Sequence, residues 1–483
     1  MAESGTRAVE IELPIVLDRD RGGLRRQLEE ALRTAIRDGA LRAGTTLPST
    51  RTLAADLGVS RRLVVESYAQ LAAEGYLATA PRSGTRVSEL ATGSAQAART
   101  AAADAPWYDL RPGTPDLAGF PRTAWRRATT SVLRCTPDDA LRYPDPRGHP
   151  ELRRAVAAYV RRVRGVVCDE DRVVICSGVR EALSLLAAVR RGTIGVEEPG
   201  LFEGAEIITA AGARVCAVPV DEDGLRTDRL LAADPDAVLV TPAHQFPTGV
   251  PLAAARRSEL VAWARDGRLV IEDDYDAEYR YDRPPLQAVQ GLAPDHVAYV
   301  GSVSKTLAPA LRLGWLVLPP ELVAPVTDAK RLRDGGTETL SQLALAHVLD
   351  SGDYDRHLRR ARLRYRARRD ALLQALRRHI PTARVAGISA GLHVLVTLPS
   401  GTDLRALEDS AQRRRLGITP VTRFYQGPAD VNQLVVGYGN LDAAAAEAAV
   451  RLLAEAIDDA QIGPKTPARP STNSTMPATT DMA

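Results

Sequence analysis

The chain has 483 residues, of which 45% are apolar and 25% charged, with a formal net charge of +3. That length predicts two or three domains, and the balanced charge excludes a broadly basic nucleic-acid coat while leaving room for a local DNA-binding face. The four cysteines form no C-x-x-C pair, which indicates neither a disulfide framework nor a zinc site, so we predict no bound metal.

The two ends of the chain and one internal segment indicate its organisation. The first 20 residues carry charges where a signal peptide needs an apolar core, and no uncharged apolar run reaches the ~20 residues of a membrane span, so we expect a cytoplasmic protein. Residues 89–106 are alanine-rich without apolar periodicity, which predicts a linker, and residues 463–483 are rich in Pro, Thr and Ser, which predicts a disordered tail. We therefore expect one module over residues 12–88 and a larger one over residues 107–462.

The first module shows the pattern of three helices followed by a hairpin. One face of a first helix carries the apolar residues Leu24, Leu28, Leu32 and Ile36. Ser49 is placed to cap a second helix that Gly58 ends, and Ser60 is placed to cap a third. The inward face of that third helix is predicted to carry Leu63, Val64, Tyr68 and Leu71. Two helices joined by a short glycine-containing turn form a helix-turn-helix, and the segment GYLATAPRSGTRV predicts two short strands of a wing.

The arginines of this module lie where such a fold meets DNA. Arg61 and Arg62 open the third helix, which is the recognition helix of the motif and contacts base edges with its N-terminal residues. Arg51 opens the second helix, and Arg82 and Arg86 flank the wing. A helical protein-interaction module with solvated arginines is the alternative, and spacing alone favours DNA only slightly.

The run LPSTRTLAADLGVSRRLVVESYAQLAAEGYLATAPRSGTRV closely resembles the winged-helix DNA-binding domain of GntR-type bacterial regulators. That resemblance implies double-stranded operator DNA as a partner. The implied DNA-contact residues are Arg51, Ser60, Arg61, Arg62, Arg82 and Thr85. Arginine can bind guanine edges through two hydrogen bonds, and helix N-termini can hold phosphate.

In the second module, short β-branched runs alternate with amphipathic helical stretches. Runs such as RVVICSG, DAVLVTPAH and RLVIEDDY end in polar or glycine-rich turns, and stretches such as REALSLLAAVRR lie between them. This alternation predicts an α/β domain with a mainly parallel sheet, whose ligands bind outside the carboxyl ends of the strands. A smaller α+β piece is predicted over roughly residues 350–462, with strands such as GLHVLVTLP and QLVVGYG.

Lysine is nearly absent from this arginine-rich chain, in which the sequence shows only Lys305, Lys330 and Lys465. A lysine amine can lose its proton and act as a nucleophile, whereas arginine keeps its proton. Lys305 follows a predicted strand, among serines and small residues, and we interpret it as a residue with covalent chemistry. Lys330 lies outside every motif, so we expect its replacement by alanine to leave operator binding unchanged.

The residues around Lys305 suit pyridoxal 5'-phosphate (PLP), with which this lysine would form a Schiff base. Asp273 would pair with the pyridinium nitrogen and keep it protonated, and Tyr275 would donate to the phenolic oxygen. The phosphate would be held by Ser302, Arg312 and the turn of Ser177, Gly178 and Val179. Each residue alone has a structural explanation, since an aspartate at a strand end is usually a cap, but the combination favours the cofactor.

This second module resembles the aminotransferase-like effector domain of MocR/GabR-type regulators, a subfamily of the GntR family. The segments that carry the resemblance include LRPGTPDLAGFPRTAWRRA, TPAHQFPTGVPL, IEDDYDAEYRYD and SVSKTLAPALRLGWLVLP. It implies a fold-type-I aminotransferase-like domain after a winged helix and a linker. It also implies a head-to-tail homodimer in which Tyr143 reaches the neighbouring subunit's phosphate. His244, Gln245 and Phe246 would lie beside the cofactor ring.

The sequence departs from the family pattern in three ways. Leu201 occupies the place of an aromatic residue that stacks on the cofactor, Arg180 and Glu181 replace a glutamine pair, and Val435 aligns with the arginine that grips an amino-acid carboxylate. Arg423 or Arg180 could hold a carboxylate from another direction.

Together these features predict a PLP-dependent transcriptional regulator. It would sense a small amine or PLP itself and control genes of PLP, amine or amino-acid metabolism. The alternative is an active aminotransferase that carries a DNA-binding domain, and a third interpretation is a regulator that has lost the cofactor.

Overall fold

The chain forms two compact units, one up to residue 105 and one from residue 106 onwards. The computed structural model describes residues 15, 17–19, 22–37, 40–80, 84–88, 106–282 and 286–461. The predicted tail, and the predicted linker apart from its last residue, lie outside these described residues. No helix within the described ranges is long and apolar enough to cross a membrane.

The described part of the first unit consists of three helices and two antiparallel strands. Its elements are α1 (Leu24–Arg37), α2 (Thr50–Asp56), α3 (Arg61–Ala73), β1 (Leu77–Ala80) and β2 (Gly84–Val87). The apolar faces of α1 and α3 form its core with Leu28, Leu32, Ile36, Val64, Tyr68 and Leu71, all buried. The predicted three-helix unit with a wing is confirmed, although the turn of the wing, residues 81–83, lies outside the described residues.

Serine side chains begin both helices of the helix-turn-helix, as the sequence predicted. The hydroxyl oxygen of Ser49 accepts the Thr52 backbone N–H at 3.1 Å, and that of Ser60 accepts the Leu63 N–H at 3.3 Å. Each bond satisfies a backbone donor that has no partner inside its own helix. Gly58 adopts a left-handed conformation, with φ 62°, in the turn between the two helices. The caps therefore fix where α3 starts and which residues form its exposed first turn.

The second unit contains eleven helices and thirteen strands within the described residues. The helices are α4 (Arg122–Cys135), α5 (Pro150–Arg164), α6 (Val179–Arg190), α7 (Phe202–Ala210), α8 (Thr227–Ala233), α9 (Ala254–Arg265), α10 (Pro320–Arg333), α11 (Thr339–Asp350), α12 (Asp353–His379), α13 (Leu404–Arg413) and α14 (Ala446–Gln461). The strands are β3 (Tyr108–Asp109), β4 (Val173–Cys176), β5 (Thr193–Glu198), β6 (Arg214–Asp221), β7 (Gly224–Leu225), β8 (Ala237–Val240), β9 (Leu269–Asp273), β10 (Val297–Ser302), β11 (Gly314–Val317), β12 (Arg384–Ala386), β13 (His393–Thr397), β14 (Leu416–Gly417) and β15 (Gln433–Gly437).

Eight of these strands form one sheet in the order β4-β11-β10-β9-β8-β5-β6-β7. The pairs from β10 through β9, β8 and β5 to β6 are parallel, whereas β11 is antiparallel to both of its neighbours. Alternate residues of β4 enter two different apolar clusters, so this sheet is buried on both faces. The predicted α/β class with a mainly parallel sheet is confirmed.

A smaller antiparallel sheet, β12-β13-β15, follows with α12, α13 and α14, where the sequence predicted an α+β piece. In the large sheet, β9 and β10 are parallel to each other. Strand β4 runs in the same direction as both, because β11 lies between β10 and β4 and is antiparallel to each of them. Asp273 is the last residue of β9 and Ser302 the last of β10. The carboxyl ends of parallel strands meet at one edge of a sheet, so the segments that follow these strands come together there.

Candidate cofactor site and candidate DNA-binding surface

A cavity of about 580 Å³ lies at the carboxyl ends of β9 and β10. Six of the nine cofactor residues predicted from the sequence line it, namely Val179, Asp273, Tyr275, Ser302, Lys305 and Arg312. The apolar part of its wall includes Leu201, Phe246, Leu392 and Phe424. A concave site with a few converging polar groups on an otherwise apolar wall is typical of small-molecule binding.

The amine of Lys305 is held inside this cavity by one hydrogen bond. Its Nζ donates to the carbonyl oxygen of Gly113 at 2.5 Å. Burial lowers the pKa of the Lys305 amine, while the nearby Asp273 carboxylate opposes part of that decrease. A lysine that gives up its proton more readily is a better nucleophile near neutral pH.

Asp273 presents a carboxylate without a full set of partners. The side chain is buried, and its Oδ1 atom has no hydrogen-bond partner among the described residues. Burial, reinforced by the neighbouring Asp274 carboxylate, raises the pKa of Asp273 to about 7. An unpaired buried carboxylate is unfavourable unless a cationic donor faces it. The protonated ring nitrogen of PLP is such a donor, so this part of the site fits the cofactor.

The hydroxyl of Tyr275 is oriented from behind by a buried histidine. The Tyr275 hydroxyl and the Asp276 carboxylate lie 3.0 and 2.9 Å from Nδ1 of His244. The side-chain amide of Gln245 donates instead to the carbonyl oxygen of Pro199, at 2.9 Å. The family resemblance put His244, Gln245 and Phe246 beside the ring, but only Phe246 lines the cavity. His244 and Gln245 form a layer of hydrogen bonds underneath it.

At the predicted phosphate end of the site, Arg312 lies as the sequence predicted, whereas the turn of Ser177 and Gly178 does not line the cavity. Arg312 lines the cavity in a left-handed conformation, with φ 50°, and a Cβ placed on Gly178 would lie 3.7 Å from its Nη1. The backbone N–H of Ser177, however, donates to Oε2 of Glu181 at 2.5 Å. Neither Ser177 nor Gly178 lines the cavity. The Ser177 N–H is therefore bound by a side chain of α6, the helix that follows it, and is not available to an anion.

Glu181 is held in place by Lys330, a residue for which the sequence indicated no structural role. Lys330 is fully buried, and its Nζ lies 3.0 Å from Glu181 Oε1 and 2.7 Å from Asp334 Oδ2. The ammonium connects α10 to the first turn of α6. Its position in the structure explains why the chain has a lysine here: three donors on a compact head satisfy two carboxylates in a fully enclosed space.

Of the other positions that depart from the family pattern, two line the cavity and one does not. Leu201 and Arg180 line the cavity, and Arg180 lies 3.4 Å from Glu203 in an exposed ion pair. Val435 is buried on β15 in a small apolar cluster and does not line the cavity. Arg423 pairs with Glu408 at 2.6 Å and also lies outside the cavity lining. Of the two arginines considered for a carboxylate, only Arg180 is therefore near the site.

Tyr143 lies away from this cavity, with its side chain fully exposed on this chain. Its predicted contact requires a neighbouring subunit and stays a prediction.

Sequence reasoning missed Gly113, whose carbonyl oxygen accepts the hydrogen bond from Lys305. Gly113 has φ +100°, and a Cβ there would lie 3.4 Å from the Lys305 Nζ. A glycine between two prolines in the run RPGTPD was the available signal. Sequence reasoning also missed His393, which lines the cavity in neutral form because burial lowers its pKa to about 3.

Four of the six predicted DNA-contact residues of the first unit are exposed at the starts of α2 and α3. Arg51, Ser60, Arg61 and Arg62 are exposed, and Thr85 is half-buried on β2. Arg62 forms an ion pair with Glu66 of its own helix at 2.8 Å, whereas no described carboxylate pairs with Arg61. Arg82 lies outside the described residues. The unpaired guanidinium group of Arg61, at the start of the recognition helix, suits contacts to base edges and phosphates.

Two family models match the chain. The model "Bacterial regulatory proteins, gntR family" matches residues 24–87, and "Aminotransferase class I and II" matches residues 109–428. A fold-type-I aminotransferase domain joined to a winged helix defines a class of bacterial regulators, for which PLP is the cofactor. The chain belongs to the aminotransferase class I and II family and, with its gntR-type domain, to the MocR/GabR-type subfamily of GntR transcriptional regulators.

Individual proteins agree with this assignment. The chain is 34% identical to the HTH-type pyridoxine biosynthesis transcriptional regulator PdxR of Corynebacterium glutamicum, over 94% of this chain and 99% of that protein. It is 33% identical to the probable rhizopine catabolism regulatory protein MocR of Rhizobium meliloti, over 89% and 92%. Among solved structures, kynurenine aminotransferase from Pyrococcus horikoshii, in complex with PMP, covers 74% of this chain and 91% of its own, with a TM-score of 0.68 and 26% identity.

Proposed function

We propose that the protein is a transcriptional regulator that binds operator DNA through residues 12–88 and PLP in the cavity around Lys305. Residues 89–106 would serve as the linker, residues 107–462 as the effector domain and residues 463–483 as a tail. The observation that carries this proposal is that Lys305 and the unpartnered Asp273 carboxylate line the same cavity. When bound, PLP supplies an electrophilic carbonyl carbon and an electron-withdrawing ring.

Each residue of the cavity has a distinct task in holding the cofactor. Lys305 would supply the amine for the covalent link to the cofactor, and Asp273 would accept the hydrogen bond of the protonated ring nitrogen. Tyr275, backed by His244, donates to the phenolic oxygen. Ser302 and Arg312 bind the phosphate, and the arginine can do so with two parallel hydrogen bonds.

We expect the effector to be a small amine or PLP itself, and we favour PLP slightly because it needs no second binding site. Two observations argue against an ordinary α-amino acid. Val435 supplies no cation at the position that aligns with the carboxylate-binding arginine, and Arg423 is engaged by Glu408 outside the cavity. The relative PdxR is named as a regulator of pyridoxine biosynthesis, which supports cofactor sensing and control of PLP-related genes.

A titration of operator DNA tests cofactor sensing. Protein freed of PLP and protein saturated with PLP are compared for operator affinity with no amino compound present. We expect the two forms to differ, because bound PLP would contact the ends of β9 and β10 and the first residue of α6 at the same time. Equal affinities would reject cofactor sensing, and an amine that then changes the affinity would identify the other class of effector.

An active aminotransferase is the second candidate function, because the core cofactor residues line one cavity and Arg180 lines it too. Transamination requires a fixed carboxylate so that the reacting bond stands perpendicular to the ring. We expect no appreciable transamination of common α-amino acids. Multiple turnovers that are abolished in Arg180→Ala would overturn this expectation and give Arg180 the role of the missing arginine.

We also propose a head-to-tail homodimer. The complete exposure of Tyr143 supports it, because an aromatic ring on the surface of one subunit can complete a site on another. Such a dimer carries two winged helices, so its operator should contain repeated half-sites.

The pH dependence of stability reports the state of Asp273. Because the pKa of Asp273 is raised to about 7 in the folded protein, its stabilising contribution is present below pH 4 and is lost as the pH rises to 7. We therefore expect PLP-free Asp273→Asn to gain about 2 kcal/mol or more relative to PLP-free wild type between pH 5 and pH 8. Thermal unfolding measured at both pH values checks this.

Glu272→Gln is the matched control for that experiment. Burial also raises the pKa of Glu272 to about 7, but this carboxylate accepts backbone N–H groups of Val289 and Gln290 and does not line the cavity. Its variant should show a similar pH trend and bind PLP normally, whereas Asp273→Asn should lose stabilisation by PLP. Normal PLP binding by Asp273→Asn would contradict its assignment to the ring nitrogen.

Replacement of the recognition-helix arginines tests the DNA-binding surface. Arg61→Ala and Arg62→Ala should weaken operator binding by about 1–3 kcal/mol for each base that the side chain recognises, and should reduce its salt dependence where the side chain binds a phosphate. Fluorescence anisotropy at several salt concentrations measures both effects. Arg331→Ala, an exposed arginine of the second unit paired with Asp328, is the charge-matched control. Unchanged binding in the double variant would mean that α3 is not the recognition helix.

A further inference from the structure

A second cavity of the second unit, about 410 Å³ in volume, lies between the start of α4 and the start of α12. Its charged lining residues are Arg122, Arg127, Arg356, Arg360, Arg364 and Asp353. Five arginines thus face one carboxylate in a concave space. None of these residues belongs to the PLP cavity, and no step assigned to that cavity uses them.

The single carboxylate is already engaged. Asp353 accepts hydrogen bonds from both Arg127 and Arg356, the second at 2.5 Å. It therefore has little capacity to neutralise the remaining arginines. Two guanidinium groups paired with one carboxylate leave a net positive charge on this side of the cavity.

Three other guanidinium groups have hydrogen-bonding capacity to spare. Arg364 pairs through Nε with Asp116 at 2.9 Å, but its Nη2 atom is buried without a partner in the described part of the chain. Arg122 donates only to the carbonyl oxygen of Ala118, at 3.2 Å, and Arg360 pairs with no described carboxylate. A buried guanidinium donor without an acceptor is unfavourable, and an anion in this cavity would supply one.

The floor of this cavity is connected to the Lys305 loop. His357 is buried, lines the cavity, and places Nε2 2.7 Å from the carbonyl oxygen of Thr306. The hydroxyl of Tyr354 donates to Oγ1 of the same threonine at 2.7 Å. Since Thr306 follows Lys305 directly, a ligand that moves His357 shifts the peptide that carries the lysine.

We propose that this cavity binds the phosphate of a small phosphorylated molecule and that its binding alters the affinity of the Lys305 cavity for PLP. Arginine suits phosphate because its planar group forms two parallel hydrogen bonds, and three arginines with free donors can surround one phosphate. The volume fits a small molecule, and a concave site with a histidine floor suits a compact phosphate better than a DNA backbone. The second half of this proposal rests on PLP binding at Lys305, whereas the first half does not.

Calorimetric titration of the full-length chain with inorganic pyrophosphate tests the site. We expect Arg122→Ala/Arg360→Ala to weaken pyrophosphate binding at least ten-fold, because the variant removes two uncompensated cations. Both side chains are exposed and lack a described carboxylate partner, so the variant should fold. Arg366→Ala, an exposed arginine of α12 outside the cavity, is the matched control and should bind as wild type does.

Arg312→Ala separates this site from the PLP cavity, which also attracts phosphate. Pyrophosphate binding that survives Arg312→Ala and is abolished in the double variant supports the proposal, and the reverse pattern overturns it. Loss of operator binding in the double variant, with pyrophosphate binding unchanged, would assign the arginines to DNA and also overturn it. The PLP affinity is then measured with and without pyrophosphate. A change of two-fold or more in wild type that is absent from the double variant supports the coupling, and no change rejects it.

Discussion

Lys305→Ala is expected to abolish covalent binding of PLP and the operator response to PLP, while basal operator binding and the oligomeric state stay as in wild type. The reason is chemical: the variant lacks the only amine that lines the cavity among the described residues. The structural cost is small, since the side chain makes one hydrogen bond, to the Gly113 carbonyl, and such a bond contributes about 1 kcal/mol. Visible absorption, and mass spectrometry after borohydride reduction, measure the loss.

Lys305→Arg is the sharper control for that experiment. It keeps the positive charge beside Asp273 but cannot give up its proton, so it should also fail to form a covalent link. If the charge alone mattered, this variant would behave as wild type. A borohydride-fixed PLP adduct on either variant would assign the cofactor to a different residue.

The alternation of strands and helices was sufficient to predict the fold class and the edge at which the site forms. Asp273 and Lys305 could be assigned to one cavity from sequence, because Asp273 ends one parallel strand, Lys305 follows the next, and the carboxyl ends of such strands meet. The N-caps Ser49 and Ser60 were predictable for a similar reason, since a cap depends on residues three positions away. Features that depend on local spacing or on strand direction are recoverable from the sequence.

The parts that sequence reasoning did not recover depend on distant contacts. Ser177 looked like an anion-binding turn, but its N–H is taken by Glu181, which is positioned by Lys330 from a helix 149 residues further along the chain. His244 looked like a neighbour of the ring, yet it contacts Tyr275 and Asp276 one layer below. No spacing rule distinguishes a residue that lines a cavity from one that supports it from behind.

The two described lysines, Lys305 and Lys330, also show what sequence reasoning cannot decide. Scarcity of lysine predicted special chemistry at Lys305, and by that argument Lys330 should have been special as well. The structure gives Lys330 a structural role: its ammonium is enclosed between α6 and α10 and pairs with Glu181 and Asp334. A rare residue type therefore marks a position with strict requirements, and only its surroundings show whether they concern chemistry or packing.

Lys330→Ala is expected to destabilise the second unit by about 3–5 kcal/mol, which is the usual cost of removing one partner of a buried ion pair. Glu181 is buried and would be left without its counter-ion, while Asp334 is partly exposed and can be solvated. Urea unfolding followed by circular dichroism measures the change. Arg331→Ala, one residue further along α10 and exposed, should stay within about 0.5 kcal/mol of wild type.

A double-mutant cycle with Glu181→Gln distinguishes the ion pair from simple loss of packing. If the cost arises from the uncompensated carboxylate, Lys330→Ala in the Glu181→Gln background should cost clearly less than in wild type, by about 1–3 kcal/mol. Lys330→Ala and Glu181→Gln should each also weaken PLP binding, because Glu181 accepts the N–H of Ser177 next to Gly178 and Arg312. If Lys330→Ala lowers the free energy of unfolding equally in both backgrounds, Lys330 acts through its volume and not its charge. Normal PLP affinity in a folded Lys330→Ala protein would show that α10 does not influence the cofactor site.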